Sequence, residues 1–335
     1  MNKSRKSIIQ IIILIILVLI VLAVTLSLRS KKREFQKSGY YFDTYVSLTV
    51  FSESDEKYLD ECLNLCEHYE NLFSKTVEGS DIYRINHAEG NEVSVDEETY
   101  YLIGKALEYC EETGGAVDIT IEPLLDTWGF SHSALTVENG NNISINSNIH
   151  TSKPDDELIK ETLQNVDYKT VVLSAPSTVK LKNPDASMDL GFIAKGYIAD
   201  KLKEYLVSNG VEHAIISLGG NIIVIGSKPD GSDYNIGIKD PDNTNEIINS
   251  VKVKDKSVVT SGTYERYVEY EGIKYHHILD TSTGYPVENR IKSVTIISES
   301  SLDGDALSTI CLILGKEKSS DILKKHNAEA IFIDS

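Results

Sequence analysis

MDLGFIAKGY, residues 188–197, places an acid, two glycines and a lysine within eight positions. A helical pattern begins at about Phe192 and ends at Gly210, because apolar residues recur there at helical spacing. The pattern predicts a helix N-terminus facing a pocket, where free N–H groups and the helix dipole favour a phosphate or another anion. Lys195 adds a full positive charge in the first turn. The alternative is an ordinary strand-to-helix turn in which Asp189 caps the helix.

A second acid-containing stretch, SSLDGDALST at residues 300–309, opens another helix. Asp305 and Thr309 are four residues apart, so they lie on one face of that helix. A carboxylate and a hydroxyl suit Mg²⁺, which typically takes one or two protein carboxylates and completes its shell with waters and substrate phosphates. The structural alternative is an acid favoured by the helix dipole beside a threonine bonded to its own helix.

Three further features indicate either a site or tight packing. Asp118 is flanked by aliphatic residues, which is typical of a buried, hydrogen-bonded acid or of an acid that binds backbone N–H groups at a strand entry. Gly219-Gly220 separates two aliphatic strands, which indicates ligand contact or dense packing. A hairpin is predicted over 267–280, with its turn at Glu271-Gly272 and with His277 on its second strand.

Strands and helices alternate along the chain, and the spacing of apolar residues predicts their positions. An Asn/Ser-rich stretch, residues 132–153, is predicted to be a surface insertion with a hairpin at Asn139-Gly140. The four cysteines lie in apolar helical contexts and are predicted to pack in the core. The predicted strands are 41–51, 170–173, 178–181, 214–218, 222–225 and 293–298, and the predicted helices include 56–73, 96–113 and 155–165.

Residues 1–33 differ from the rest of the chain. Residues 8–28 are almost wholly aliphatic, and basic residues flank them on both sides. At a helical rise of about 1.5 Å per residue, this run spans roughly 31 Å, the thickness of a bilayer core. It predicts an uncleaved single-pass membrane anchor, with residues 34–335 outside the cytoplasmic membrane. A cleaved signal peptide is the alternative, although the run is long for one.

The chain is acidic, with a net charge of −18 at pH 7. Residues 34–335 carry 26 Lys and Arg against 51 Asp and Glu, a formal charge of −25. Nucleic acid is therefore excluded as a partner, because binding it requires a basic surface. An anionic ligand would need local help from a metal cation, a lysine or a helix N-terminus.

Taken together, these motifs closely resemble those of the ApbE family of FAD:protein FMN transferases, from about Tyr41 to the C-terminus and in the same order. Any one motif is weak, but eight in register are specific. The motifs are Phe42-Asp43-Thr44, Gly115 to Thr120 (GAVDIT), Trp128-Gly129-Phe130, Asp189 to Tyr197, Leu218 to Asn221 (LGGN), Thr260-Ser261-Gly262, Tyr275 to Asp280 (YHHILD) with Gly284 and Pro286, and Asp305 to Thr309 (DALST).

The resemblance implies an α+β fold related to the T-fold, with FAD in a cleft between two sheet-and-helix lobes. It implies an exported, Mg²⁺-dependent transferase that splits the pyrophosphate of FAD. FMN is then transferred through its phosphate onto a Ser or Thr hydroxyl of an acceptor protein, and AMP is released. The same residues would also serve an FAD pyrophosphatase that uses water as acceptor. A non-catalytic flavin-binding protein is the third possibility.

The resemblance also implies roles for individual residues. His277 matches the functionally important histidine, as general base or in acceptor positioning, and Asp305 is both catalytic and metal-binding. The metal ligands implied are the backbone carbonyl of Phe192 and the side chains of Asp305 and Thr309. Many members have Gly or Ala at the position of Phe192. The implied FAD contacts are Phe42, Thr76, Ala116, Val117, Asp118, Asp189, Lys195 and Leu279.

Overall fold

The computed structural model of the protein describes residues 34–131 and 152–334 in full. It also describes the backbone of 134–138 and 142–146 and five helical residues, 13 and 15–18. The rest of the predicted membrane anchor lies outside these residues. Within the described residues, no helix is both long and apolar enough to cross a membrane.

The described chain is a mixed α+β fold, as predicted. Its helices are α1 (Leu59–Phe73), α2 (Asp81–Asn86), α3 (Glu97–Glu112), α4 (Glu122–Thr127), α5 (Asp156–Leu163), α6 (Ala194–Ser208), α7 (Ser301–Lys318) and α8 (Ser320–Lys325). Its strands are β1 (Phe35–Tyr41), β2 (Thr44–Val50), β3 (Val93–Ser94), β4 (Ala134–Glu138), β5 (Asn142–Asn146), β6 (Val171–Ser174), β7 (Thr178–Leu181), β8 (Ala214–Leu218), β9 (Asn221–Ile225), β10 (Tyr234–Lys239), β11 (Ile247–Val253), β12 (Ser257–Gly262), β13 (Tyr267–Tyr270), β14 (Ile273–His276), β15 (Ile291–Ser298) and β16 (Glu329–Asp334).

The main sheet has seven antiparallel strands in the order β1-β2-β8-β9-β12-β15-β16. Helices α6 and α7 pack on its centre. Because side chains alternate across a strand, Ile223 and Ile225 of β9 join the core beneath the helices, whereas Val224 joins a second core under the β10–β11 ribbon. The central strands are therefore covered on both faces, which explains their continuous aliphatic sequence.

Smaller sheets and hairpins surround the main sheet. Strands β3, β7 and β6 form one three-stranded sheet, and β13 pairs with β14 across the predicted Glu271-Gly272 turn. A separate apolar cluster, which includes Trp128 and Leu279, joins α4, α5 and β13. Strands β4 and β5 pair antiparallel, which confirms the hairpin in the insertion.

Three turns or strand ends that contain the quoted motifs lie at the same end of the strands of the main sheet. The β1–β2 turn at Phe42-Asp43, the β8–β9 turn at Gly219-Gly220 and the end of β12 at Gly262 all lie there. A Cβ on Gly219 would lie 2.5 Å from Thr44 Oγ1, so dense packing explains this glycine. The sheet thus brings residues that are far apart in sequence together at one end of its strands.

Two details of the predicted elements are wrong. Tyr41 ends β1 and does not begin a strand, because Phe42 and Asp43 have φ angles of 54° and 56° and form a tight hairpin turn. Strand β14 ends at His276, so His277 lies in the irregular segment that follows. The prediction for the cysteines is confirmed, since all four are free and buried.

Candidate active site

The site is built where the N-terminus of α6 crosses α7. The crossing is close because Gly196 has no side chain: a Cβ there would lie 2.2 Å from the carbonyl oxygen of Ser301 and 2.7 Å from Asp305 Cβ. Asp200 of α6 fixes the N-terminus of α7, since its carboxylate accepts hydrogen bonds of 2.9 Å from the backbone N–H groups of Ser301 and Leu302.

The carboxylate at this crossing belongs to Asp305, which is buried. Its Oδ2 accepts a 2.8 Å hydrogen bond from the N–H of Gly196, and its Oδ1 lies 3.8 Å from Lys195 Nζ. Burial raises the pKa of Asp305, although Lys195 and the N–H groups at the start of α6 favour the charged form. An additional cation beside Oδ1 would relieve this burial cost.

The predicted use of the α6 N-terminus is therefore wrong in one respect. Its N–H groups are not free for a ligand anion, because Ala194 donates to the carbonyl of Leu190 and Gly196 donates to Asp305. The anion at this helix end is the protein's own carboxylate. Asp189 does not cap the helix either, since its Oδ1 accepts from the N–H of Gly191.

The donor set at the crossing fits Mg²⁺. In a regular helix the N–H of Gly196 would bond to the carbonyl of Phe192, but here it donates to Asp305, which leaves that carbonyl available to a cation. Thr309 lies on α7 with its Oγ1 3.2 Å from Ser261 Oγ. Within the described residues no cluster of three His, Cys, Asp or Glu side chains could hold a metal. A cation here would depend on one carboxylate with hydroxyl and carbonyl oxygens, all hard ligands.

Lys195, in the first turn of α6, is linked to Asp189, in the loop that enters this helix. Lys195 Nζ donates a 2.8 Å hydrogen bond to the carbonyl of Gly191, whose N–H in turn bonds to Asp189. Asn86 holds this loop from α2, because its side chain accepts from the N–H of Met188 and donates to the carbonyl of the same residue. The hydrogen bonds of Gly191 thus link the two predicted residues across the junction between the loop and α6.

A charged cluster that the motifs did not indicate continues from Asp189. Lys75 pairs with Asp189 Oδ2 at 2.8 Å and also with Glu122. Burial opposes the charged form of Asp189, but the ion pair with Lys75 outweighs it and lowers the pKa of Asp189 to about 2. Burial raises the pKa of Glu122 to about 7, against the opposing effect of Lys75. Lys75 directly precedes Thr76, which is exposed and forms hydrogen bonds with Ser74.

Asp118 is buried, and both of its oxygens are already bonded within the protein. Oδ1 accepts from the N–H and the hydroxyl of Thr120 at 2.7 and 2.6 Å, and Oδ2 accepts from the N–H of Tyr168 at 2.8 Å. This pattern agrees with the interpretation of an acid that binds backbone N–H groups. The flavin contact expected of Ala116, Val117 and Asp118 stays a prediction.

His277 lies beside the turn that follows β12. Its Nδ1 is 3.1 Å from the carbonyl of Arg266, so Nδ1 carries the proton and Nε2 keeps the lone pair. Burial and the positive charge of Arg266 lower the pKa of His277 to about 3. The ring meets Phe130 edge to face, with centroids 6.3 Å apart. His277 is therefore a neutral imidazole held in one tautomer.

Two other predicted contacts occupy different positions. Phe42 is half-buried in the β1–β2 turn, where its N–H donates to Glu70 Oε1 at 2.8 Å. Leu279 is buried in the apolar cluster around Trp128. The flavin contacts expected of Phe42 and Leu279 stay predictions.

Sequence patterns missed four residues at the site: Lys75, Glu122, Glu265 and Arg266. The last two had a usable signal, because a Glu-Arg pair follows the Thr260-Ser261-Gly262 motif at the end of β12. Lys75 and Glu122 had none, since they are 47 residues apart and meet only in the folded chain.

The chain is similar to known proteins along most of its length. The model of the ApbE family matches residues 42–332. The chain is 33% identical to the FAD:protein FMN transferase of Treponema pallidum (strain Nichols), over 91% of this chain and 86% of the relative. It is 34% identical to the FAD:protein FMN transferase of Klebsiella pneumoniae (strain 342), over 91% and 90%.

Solved structures are similar as well. The ApbE protein of Thermotoga maritima superposes with a TM-score of 0.77 at 34% identity, covering 90% of this chain and 94% of that one. The flavin transferase ApbE of Vibrio cholerae superposes with a TM-score of 0.76 at 25% identity, with the same coverage.

Proposed function

The chain belongs to the ApbE family, and from that premise we propose that it is an FAD:protein FMN transferase. In this reaction an acceptor hydroxyl attacks the phosphorus of the FMN half of FAD. The bond to the phosphate of the AMP half breaks, and AMP leaves. The observation that carries the proposal is the buried carboxylate of Asp305. It accepts a hydrogen bond from the N–H of Gly196, Lys195 is near it, and Thr309 is on the same face of α7.

We propose further that Asp305, Thr309 and the carbonyl of Phe192 hold Mg²⁺. When bound, the ion supplies positive charge to the pyrophosphate oxygens, where negative charge develops in the transition state. Lys195 adds a second positive charge on the same side. In a chain with so many acidic groups, such local positive charge is what an anionic substrate needs.

The remaining predicted residues would orient the substrate. Asp189 is held in its charged form by Lys75, so it offers a fixed hydrogen-bond acceptor at the loop before α6. His277 presents a free Nε2 from a fixed tautomer, which suits hydrogen bonding to the acceptor hydroxyl. Phe42, Thr76, Leu279 and residues 116–118 complete the proposed flavin contacts, and the Asp118 carboxylate, which is already bonded to Thr120 and Tyr168, holds its own segment in place.

We also propose that residues 8–28 anchor the protein as a single membrane span, with residues 34–335 as an extracytoplasmic transferase domain. Strand β1 begins at Phe35, two residues after Arg33, the last of the basic residues that follow the apolar run. The turn at Phe42 lies 14 residues beyond Leu28, the last residue of the apolar run, so it is at most roughly 50 Å from the anchor along an extended chain. The acceptor is accordingly a protein at the same membrane face.

The test uses the full-length protein in detergent, with FAD, Mg²⁺ and a flavoprotein domain that carries one acceptor threonine and was purified without flavin. We expect AMP release and a gain of one FMN in the mass of the domain. The Klebsiella pneumoniae relative serves as positive control for the acceptor. AMP release without a mass gain, while the relative modifies the same domain, would indicate an FAD pyrophosphatase. FAD binding without AMP would indicate a non-catalytic flavin-binding protein.

A further inference from the structure

Glu265 lies at the site without a role in the account above. It follows β12, in a turn where its N–H is 3.3 Å from the carbonyl of Gly262. Its side chain extends over the β8–β9 turn, and a Cβ on Gly220 would lie 3.3 Å from Glu265 Oε1. The residue is exposed, so a molecule in the cleft can reach its carboxyl group.

Charged groups from three other elements face Glu265. They are Lys195 at the start of α6, Asp305 on α7 and Lys239 at the end of β10, while Arg266 adjoins it in its own turn. Although the residue is open to solvent at the cleft, the protein around the rest of its carboxyl group and the negative charge of Asp305 raise the pKa of Glu265 to about 7, against the opposing effect of the three cations. Within the described residues, no hydrogen bond or ion pair engages its carboxylate. The group is thus an unpartnered acid beside the reacting centre.

We propose that Glu265 accepts the proton of the acceptor hydroxyl during transfer. The proposal rests on the proposed function. The acceptor oxygen forms its bond to the phosphorus of the FMN half, and the bond from that phosphorus to the oxygen of the AMP phosphate breaks. AMP leaves with the bonding electron pair. The hydroxyl proton passes to the Glu265 carboxylate and from there to solvent.

His277 is the competing base, and its environment favours a different role. A general base works best when its pKa is near the working pH. The pKa of His277 is lowered to about 3 by burial and by Arg266, so its Nε2 binds a proton weakly at neutral pH. His277 therefore orients the acceptor hydroxyl, and Glu265 removes its proton. Both residues flank the same turn, because the carbonyl of Arg266 accepts from His277.

The test compares full-length Glu265→Gln and Glu265→Asp with Glu269→Gln, a matched control at an exposed acid on β13. The acceptor is the threonine-bearing flavoprotein domain, and kcat, KM and the Kd of FAD are measured from pH 5 to 9. General-base catalysis contributes about 10²–10⁴-fold, so Glu265→Gln should lower kcat at least 100-fold. The Kd of FAD should change less than about threefold, since no proton is transferred on binding.

The pH profile separates a base from a structural residue. Wild-type kcat should rise with pH through about 7, as Glu265 loses its proton, and this limb should disappear in Glu265→Gln. Glu265→Asp and His277→Ala should keep the limb at lower kcat. Formate should partly restore Glu265→Ala, because it supplies the missing carboxylate.

Three results would overturn the proposal: a kcat within about threefold of wild type in Glu265→Gln, persistence of the limb, or a higher KM with unchanged kcat. Absence of transfer by the wild-type protein, while the relative modifies the same domain, would instead overturn the proposed function.

Discussion

Asp118 and Asp305 are both buried, with 7% and 3% of their surface exposed, and burial raises the pKa of both. They differ in what their oxygens bind. Asp118 accepts three hydrogen bonds from Thr120 and Tyr168. Asp305 accepts a 2.8 Å hydrogen bond at Oδ2 from the N–H of Gly196, and the N–H of Lys195 also stabilises its charged form, whereas its Oδ1 lies 3.8 Å from the Lys195 ammonium, beyond hydrogen-bond distance.

From this difference we expect the Asp118 carboxylate to hold the fold together and the Asp305 carboxylate to be available for chemistry. Burial and a raised pKa are common to both, so neither property identifies the functional acid. What distinguishes Asp305 is its remaining capacity to bind a cation, together with hard oxygen donors nearby. The predictions below test this distinction.

The largest effect is expected from Asp305→Asn. The amide can still accept from Gly196, but it loses the charge that would bind Mg²⁺. Because a bound metal stabilises transition-state charge by several kcal/mol, we expect FMN transfer to fall about 10³-fold or more. Acceptor mass measures transfer, and circular dichroism should show an unchanged fold. Transfer within tenfold of wild type would contradict the assignment.

Gly196→Ala should disturb the same crossing through packing. The added Cβ would lie 2.2 Å from Ser301 O and 2.7 Å from Asp305 Cβ, so the backbone must move. Overpacking of this kind costs about 3 kcal/mol, measured as the free energy of unfolding in urea.

Gly104→Ala in α3 is the matched control for this substitution. Its Cβ would lie 3.7 Å from Leu173 Cδ1, an ordinary contact, so it should be neutral or slightly stabilising. Equal losses of stability in the two variants would contradict the packing argument.

Asp118→Asn should lower the stability of the protein and leave FMN transfer nearly unchanged, the reverse of what we expect for Asp305→Asn. One carboxylate oxygen becomes an NH₂ group that faces a donor, either at Thr120 or at Tyr168. A buried donor left unsatisfied costs about 2 kcal/mol. We expect the free energy of unfolding to fall by that amount, while FMN transfer well below the melting temperature stays within about threefold. A 10³-fold loss of transfer would place Asp118 in the chemistry.

The helices that carry the site follow from sequence because their determinants are local. Apolar spacing and a terminal glycine predicted α6, and the i, i+4 relation placed Asp305 and Thr309 on one face of α7. The occupancy of the α6 N-terminus could not be predicted, because its anion comes from Asp305, 109 residues beyond Gly196. Lys75 likewise meets Asp189 only after folding.

The smallest effect concerns the pH dependence of Asp189. Its folded pKa, about 2, is below the unfolded value of about 3.9, so its stabilising contribution is present above pH 4 and is lost as pH falls toward 2. This pKa difference corresponds to roughly 2.6 kcal/mol, but Lys75 keeps Glu122 as a partner in Asp189→Asn, so we expect that variant to be only about 1 kcal/mol less stable than wild type at pH 6, with the difference shrinking below pH 4. Urea unfolding at a series of pH values measures this. A difference that does not change with pH would contradict the role of Lys75.

The most direct measurement is Mn²⁺ binding, followed by electron paramagnetic resonance, in the full-length protein with FAD present. Mn²⁺ accepts the same oxygen ligands as Mg²⁺. Wild type and Asp118→Asn should bind the ion with equal affinity, and Asp305→Asn should lose binding at the same concentrations. Wild-type affinity in Asp305→Asn, or loss of binding in Asp118→Asn, would contradict the assignment of the two aspartates.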